Sequence, residues 1–125
     1  MPKLSANFSD YEFACKGVNC CNHSAPVLPA LVVSLQQLRD MIGKPIEITS
    51  GFRCVRHNKE IGGAVGSKHT TAEAADLAQI PGMTIDEMAE WAKKVPMFDR
   101  GGIILYPTWI HVDVRLSGKY YKDSR

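Results

Sequence analysis

Three side chains of this sequence, His69, Asp76 and His111, are of the types that together bind one metal ion. Catalytic Zn²⁺ usually takes three imidazole or carboxylate ligands and leaves a fourth position to water, whose pKa falls to about 7 on the metal. Two imidazoles and one carboxylate make such a set. We therefore predict that His69, Asp76 and His111 are the ligands of a zinc site.

The interval between His69 and Asp76 restricts the structure that can hold them. If residues 69–76 formed one helix, its ~1.5 Å rise per residue would separate the two side chains by about 10 Å, too far for bonds of ~2 Å to one ion. The small and polar residues 67–71 favour a loop, and residues 76–80, which precede a Pro-Gly turn, favour a short strand. A loop followed by a strand would bring both ligands to the metal.

The third ligand lies in a segment that alternates in the manner of a strand. Trp109, His111 and Asp113 share one face of this predicted strand, whereas Ile110 and Val112 share the other. The apolar face would pack in the core and the polar face would line a cleft. Asp113 could then reach a metal-bound water or anchor the imidazole of His111.

The order of these motifs resembles that of the zinc D-alanyl-D-alanine carboxypeptidase and L-alanyl-D-glutamate endopeptidase family, peptidoglycan metallopeptidases that include phage endolysins. The resemblance extends over nearly the whole chain. It implies an α+β fold of the hedgehog/D-Ala-D-Ala peptidase type, with a small antiparallel sheet and helices packed on one side. The matching residues are Ser50-Gly51-Phe52-Arg53, Gly62-Gly63, Ser67, His69, Ala74, Asp76 and Trp109-Ile110-His111-Val112-Asp113-Val114.

The resemblance also implies how further residues contact a substrate. Arg53, the arginine of the Ser-Gly-Phe-Arg motif, is expected to bind a substrate carboxylate, which its planar guanidinium can grip through two hydrogen bonds. It is therefore both a catalytic and a substrate-binding candidate. Ser67 is expected to hydrogen-bond the substrate or the metal-binding loop, and Trp109 is expected to form an apolar wall beside the metal.

Two positions depart from the family pattern. Ala72 stands where the pattern prefers glycine, and Thr108 stands three residues before the last histidine, where many members have the Asp or Glu general base. We predict Asp113 as the catalytic base, because it shares the strand face of His111. Glu73, in the metal-binding loop, is the second candidate. A zinc site without a base would bind a substrate but cleave it poorly.

The remaining pattern predicts the elements that carry these residues. Apolar residues at three- and four-residue steps indicate an amphipathic helix, and the capping-box spacing of Thr84 and Glu87 indicates another that ends at Pro96. Helices are predicted over 28–42, 53–61 and 85–95, strands over 46–49, 76–80, 103–106 and 109–114, and a polar tail over 117–125. The last two strands could also be one strand that a kink or bulge interrupts at Pro107 and Thr108.

Length, composition and charge indicate one small domain. With 125 residues, 45% of them hydrophobic, residues 1–125 can form a single core but not a second independent module. The formal net charge of +2, with scattered Lys and Arg, gives no signature of nucleic-acid binding. No segment approaches the ~20 apolar residues that span a bilayer. We expect a monomer that neither binds nucleic acid nor inserts into a membrane.

The first residues of the sequence lack the apolar core of a signal peptide. We therefore expect the protein to be cytoplasmic as synthesised. If it acts on peptidoglycan, it would reach the cell wall after release, as in the phage or prophage context that the family resemblance implies.

Four cysteines form the remaining group of chemically distinctive residues. Cys15, Cys20 and Cys21 lie near His23, and Cys54 directly follows the Ser-Gly-Phe-Arg motif. They could form two disulfides, a structural Cys/His metal site, or reduced buried thiols. The lack of a secretion signal favours reduced thiols or one local disulfide. In each case the cluster is expected to stabilise a loop-rich N-terminal segment.

These predictions together indicate a zinc metallopeptidase that hydrolyses peptide bonds in peptidoglycan stem peptides. Because the chain is short and lacks a signal peptide, L-alanyl-D-glutamate endopeptidase activity of the endolysin type is preferred over D,D-carboxypeptidase activity. The alternative is a non-catalytic zinc-containing cell-wall-binding or phage virion module, which Thr108 in place of the usual acid motivates. A purely structural phage protein would bind no metal.

Overall fold

Four α-helices and five β-strands make up the computed structural model, which describes residues 3–125. Met1 and Pro2, which the sequence assigns to the same domain, lie outside the described residues. The mixture of elements confirms the predicted α+β class. The helices are α1 (Pro29–Ile42), α2 (Val55–Glu60), α3 (Ile85–Ala92) and α4 (Pro96–Arg100), the strands are β1 (Ile48–Ser50), β2 (Ala74–Ala78), β3 (Gly102–Leu105), β4 (Trp109–Asp113) and β5 (Tyr120–Asp123), and short 3₁₀ turns cover Asp10–Phe13 and Lys68–Thr71.

The strands form one sheet in the order β1-β2-β4-β3-β5. The pairs among β1, β2, β4 and β3 are antiparallel, as predicted, whereas β3 and β5 pair in parallel. β5 lies within residues 117–125, so the prediction of a polar tail for that segment was wrong. All residues of β5 are exposed. The strand therefore forms through backbone pairing at the sheet edge, and it has no alternating apolar pattern that could reveal it.

Helix α1 begins and ends where its sequence signals predict. Pro29 occupies the first turn, where its missing N–H has no helical partner to lose, and Gly43 ends the helix with a left-handed backbone at φ 73°. Leu31, Leu35 and Leu38 form the buried stripe. This helix is the longest element of the layer that covers the sheet.

The helix predicted over 85–95 ends three residues early, and a second, unpredicted helix follows it. Thr84 and Glu87 form the predicted capping box, with each side chain accepting the backbone N–H of the other residue. Helix α3 ends at Ala92, Val95 is extended, and Pro96 begins α4 instead of only ending a helix. Proline suits the first turn of a helix as well as the position after one, so its place alone could not distinguish the two.

The apolar core lies between one face of the sheet and helices α1, α3 and α4. Helices α3 and α4 contact β3 and β4, and α1 contacts both helices. Leu77 of β2, together with Ile110 and Val112 of β4, is fully buried in this layer. Because side chains alternate along a strand, Asp76 and His111 lie on the opposite face of the sheet. Helices α1, α3 and α4 thus cover one face of the sheet, and two of the predicted metal ligands lie on the other face.

An irregularity in β1 redirects the chain just before the Ser-Gly-Phe-Arg motif. Ile48 pairs with Leu77 and Ser50 pairs with Asp76, so β1 contains one residue more than β2 over this stretch. Such a bulge bends the strand. Beyond it, a Cβ at Gly51 would meet the backbone of Phe13, whose carbonyl accepts the Phe52 N–H at 2.8 Å. The motif is therefore held tightly against the N-terminal segment.

The structure also explains why the family pattern prefers glycine at position 72. Ala72 has a left-handed backbone, with φ 61° and ψ 23°, at the end of the Lys68–Thr71 turn. A Cβ in this conformation costs roughly 1–2 kcal/mol, a penalty that glycine avoids. Ala72 is therefore a strained residue, and it lies between the turn that contains His69 and the strand that contains Asp76.

We expect Ala72→Gly to raise the free energy of unfolding by roughly 0.5–1 kcal/mol, because the relief of left-handed strain exceeds the entropy that glycine adds to the unfolded chain. Urea denaturation monitored by circular dichroism would measure this change. Ala78→Gly, the same substitution at an extended position in β2, is the control and should destabilise the protein. Equal destabilisation by both variants would contradict the presence of strain at Ala72.

Candidate metal centre

The structure brings together the three side chains that the sequence predicts as metal ligands. His69 Nε2 lies 3.1 Å from Asp76 Oδ1, and His111 Nδ1 lies 3.2 Å from His69 Nε2 and 3.3 Å from Asp76 Oδ1. The three atoms form a small, nearly equilateral triangle. Four-coordinate Zn²⁺ with bonds of 2.0–2.1 Å would hold such ligand atoms about 3.3 Å apart, so the size of the triangle fits this ion.

Different elements position the three side chains. Asp76 and His111 are direct partners in the antiparallel register of β2 and β4, which places their side chains next to each other on one face. His69 lies in the Lys68–Thr71 turn, where Ser67 Oγ accepts the His69 N–H at 3.3 Å. The His69 carbonyl accepts the Arg53 N–H at 3.1 Å. The sheet thus supplies two side chains and a capped turn supplies the third.

In each imidazole, the inner nitrogen faces the other two predicted ligands and the outer nitrogen faces away from them. Both outer nitrogens lie within hydrogen-bond distance of an acceptor. His69 Nδ1 lies 2.7 Å from the Gly51 carbonyl, and His111 Nε2 lies 2.7 Å from Asp113 Oδ2. A carbonyl or a carboxylate can only accept, so these outer nitrogens carry the protons and the lone pairs of the inner nitrogens point toward Asp76. Three electron-pair donors at this distance repel one another unless a cation lies among them. The donor set is therefore suited to a zinc ion.

Asp113 is enclosed by partners on both of its carboxylate oxygens. It is completely buried, Oδ1 accepts the Arg115 N–H and Nε–H at 3.1 and 2.8 Å, and Oδ2 accepts Arg115 Nη2–H at 2.7 Å in addition to His111. A Cβ at Gly102, the residue paired with Asp113 on β3, would collide with this carboxylate. Of the two roles that the sequence leaves open for Asp113, this geometry favours the anchoring of His111.

The pKa shifts show how strongly the site favours positive charge. Burial alone would raise the pKa of Asp76, but hydrogen bonds and charges from His111 and His69 outweigh it and hold this pKa well below its usual range. Burial alone would lower the pKa of His111, but the hydrogen bonds to Asp113 and Asp76 outweigh it and raise this pKa. Both shifts favour a negative Asp76 beside a positive charge, which a protonated imidazole or a metal ion can supply.

A cleft of about 450 Å³ opens beside the three side chains. Arg53, Ser67 and Trp109, the predicted substrate contacts, all line it. Arg53 is half-buried, its Nη2 lies 3.4 Å from Ser67 Oγ, and its buried Nε has no hydrogen-bond partner among the described residues. Trp109 stacks on Tyr106 with the rings 4.4 Å apart. The cleft therefore combines a guanidinium with donors to spare and an aromatic wall.

Neither of the candidate bases, Asp113 and Glu73, lines this cleft, and neither does Thr108 at the position of the usual acid. Thr108 is exposed, and Glu73, which accepts a hydrogen bond from Thr71 Oγ1 at 2.7 Å, does not line the cleft. Within residues 3–125, the cleft is lined by no carboxylate besides Asp76 itself.

Sequence reasoning had not singled out Tyr106 and Tyr120, which line the cleft, or Arg115, which neutralises Asp113. The alternation of Asp113 and Arg115 on one strand face was the available signal for that ion pair.

The chain belongs to the peptidase M15 family, whose family model matches residues 6–113. It is also 48% identical, over 44 residues, to a zinc D-Ala-D-Ala carboxypeptidase of Streptomyces albus G. That alignment covers 34% of this chain and only 17% of the relative. These findings confirm the family resemblance inferred from the motifs. In the part of the chain that the structure describes, no helix is both long and apolar enough to cross a membrane.

We expect Asp113→Asn to weaken zinc binding by about 10–100-fold, because the amide lacks the charge that holds the His111 tautomer. Competition against a chromogenic chelator would measure the affinity. Asp99→Asn, which removes a carboxylate that does not line the cleft, is the control and should leave zinc binding unchanged. If Asp113→Asn bound zinc as tightly as the parent and lost only turnover, Asp113 would be the base and not the anchor.

Proposed function

We propose that this protein is a zinc-dependent peptidase that hydrolyses peptide bonds in peptidoglycan stem peptides. The observation that carries the proposal is the triangle of His69, Asp76 and His111, whose outer imidazole nitrogens are tethered so that all three inner atoms present lone pairs. Membership of the peptidase M15 family supports the same reading, and so does the name of the relative from Streptomyces albus G.

The roles of the residues follow from their contacts. Bound Zn²⁺ would supply a water of lowered pKa and would polarise the scissile carbonyl. His69, Asp76 and His111 would hold the ion, while the Gly51 carbonyl and Asp113 fix the two imidazole tautomers. Asp113 is proposed as a positioning residue, because both its oxygens are already hydrogen-bonded and its pKa is held well below the usual range by Arg115 and His111 despite burial.

Arg53 is proposed to bind the substrate. Its side chain lines the same cleft as His69 and His111, and among the described residues its terminal nitrogens donate a side-chain hydrogen bond only to Ser67. Such a fork suits a carboxylate, which stem peptides carry at D-glutamate and at their C-terminus. The aromatic wall of Trp109 and Tyr106 would pack against the apolar part of the peptide. Ser67 would fix both the turn of His69 and the guanidinium of Arg53.

We prefer L-alanyl-D-glutamate endopeptidase activity of the endolysin type, with D,D-carboxypeptidase activity as the other peptidase candidate. A non-catalytic zinc-containing module that binds the cell wall or belongs to a phage virion is the second candidate function. The observation that favours it is the lack of a free carboxylate in the cleft formed by the described residues. Such a module would use the same metal and Arg53 to hold a stem peptide without cleaving it.

We expect the zinc-loaded protein to release stem-peptide fragments from purified peptidoglycan. Mass spectrometry of the soluble fraction would identify the new termini and therefore the bond that is cleaved. His69→Ala, which removes one metal ligand, is the blank and should release none. Binding to peptidoglycan without release, across several wall chemistries, would contradict the peptidase proposal and favour the binding module.

We expect Arg53→Ala to lower kcat/KM for a soluble stem peptide by at least about 10-fold, because a hydrogen bond to a charged group contributes roughly 1.5–3 kcal/mol. Arg53→Lys should restore only part of the loss, since an ammonium cannot bind a carboxylate through a planar fork. Arg100→Ala removes an exposed arginine outside the cleft and serves as the control. Unchanged kcat/KM in Arg53→Ala would remove Arg53 from the substrate site.

A further inference from the structure

A second group of potential metal ligands lies outside the cleft, at the N-terminal side of α2. The sulfur atoms of Cys15, Cys20, Cys21 and Cys54 all lie within 4.8 Å of one another. The Sγ atom of Cys15 is 3.9 Å from that of Cys20 and 4.0 Å from that of Cys54, and the Sγ atoms of Cys20 and Cys21 are 3.8 Å apart. All four cysteines are free thiols in the structure.

The three shortest of these distances, 3.8 to 4.0 Å, match the edges of a tetrahedron around a metal ion, and the other sulfur pairs lie within 4.8 Å. Four thiolates bound to Zn²⁺ at about 2.3 Å lie about 3.8 Å apart, and structural zinc sites with four cysteine ligands have this geometry. A set of sulfur ligands selects zinc over the hard cations Mg²⁺ and Ca²⁺. Four protein ligands also close the coordination sphere, so such a site leaves no position for water or substrate.

The chain around the cysteines is shaped to bring the sulfurs together. Asn19 and Asn22, which flank the adjacent pair Cys20 and Cys21, both have a left-handed backbone at φ 56°. Arg56 of α2 donates a hydrogen bond from Nη1 to the Asn19 carbonyl at 3.1 Å. A Cβ at Gly17 would collide with Cys20 Sγ and with the ring of His57. The loop is thus closely folded against the start of α2.

Apolar burial does not account for this loop. Residues 16–26 form no helix or strand, and Gly17 alone among them is buried, while Val18 is 73% exposed. Ordering a segment of this length costs roughly 1–2 kcal/mol per residue in backbone entropy. A cross-link among its cysteines would offset that cost, as metal binding does in small zinc-dependent domains.

We infer that Cys15, Cys20, Cys21 and Cys54 bind a second Zn²⁺ in a closed tetrahedral site with a structural role. The sequence left open a Cys/His site, but His23 directs Nδ1 to the Cys15 carbonyl at 2.8 Å, and all four ligands can be sulfur. Cys54 is adjacent to Arg53, and its sulfur also accepts the His57 N–H at the start of α2. The ion would therefore fix the N-terminal loop to the segment that presents Arg53.

The zinc content of the protein, purified under reducing conditions with zinc present, tests this inference. We expect two zinc ions per chain in the parent, measured by mass spectrometry of the metal. His69→Ala/His111→Ala should retain one, held by the cysteines, and Cys54→Ser should also retain one, held by the cleft. Val18→Ser, a serine introduced at an exposed position of the same loop, is the matched control and should retain both.

X-ray absorption at the zinc edge of His69→Ala/His111→Ala identifies the ligands even if Cys54→Ser does not fold. We expect a shell of four sulfur atoms at about 2.3 Å. Cobalt substitution of the same variant should give thiolate-to-metal charge-transfer bands. A zinc shell without sulfur would overturn the inference. This readout is independent of peptidase activity, so failure of the proposed function would not affect it.

Two further results would overturn the inference. One is a parent protein with a single zinc ion that His69→Ala/His111→Ala loses entirely, which would leave the cysteines as metal-free thiols. The other is a mass lower by four hydrogens with no thiol reactive after denaturation, which would establish two disulfides. Thiols that react with an alkylating reagent only after a chelator has removed zinc would instead support the site.

Discussion

The mutual repulsion of three lone pairs is the constraint on which the rest of the structure depends. His69 Nε2, Asp76 Oδ1 and His111 Nδ1 meet within 3.3 Å of one another, and a cation among them would relieve the repulsion between their lone pairs. The β2–β4 register fixes Asp76 beside His111 without any help from loops. His69 has no strand to place it, so its position depends on the Ser67 cap and the Gly51 carbonyl.

The two sides of the site therefore have different mechanical support. The sheet side is backed by the core, where Leu77 and Ile110 are fully buried under the helices. The loop side is backed by hydrogen bonds, from Phe52 to the Phe13 carbonyl and from Arg53 to the His69 carbonyl. Hydrogen bonds in loops resist displacement less than a packed core does. A metal ion at the cysteines would add its stabilisation on the loop side.

The parts of the structure that the sequence could predict are those with a local signal. Residue type and alternation predicted the three side chains that the structure brings together, and proline and glycine predicted the start and end of α1. β5 could not be found, because an exposed edge strand held by backbone pairing has no side-chain pattern. The burial of Asp113 depends on Gly102 in a neighbouring strand, a relation that appears only when the register is known.

The role of Asp113 shows how environment, more than residue type, determines what a carboxylate can do. A general base works best when its pKa lies near the pH of the reaction, and it needs an oxygen free to take the proton. Arg115 and His111 occupy both oxygens of Asp113 and hold its pKa well below the usual range despite burial. The contacts that make Asp113 a firm anchor for His111 thus make it a poor base. A carboxylate free to accept a proton would orient the imidazole less firmly. The proposed peptidase would therefore need another acceptor for the proton of its water, whereas a binding module would need none.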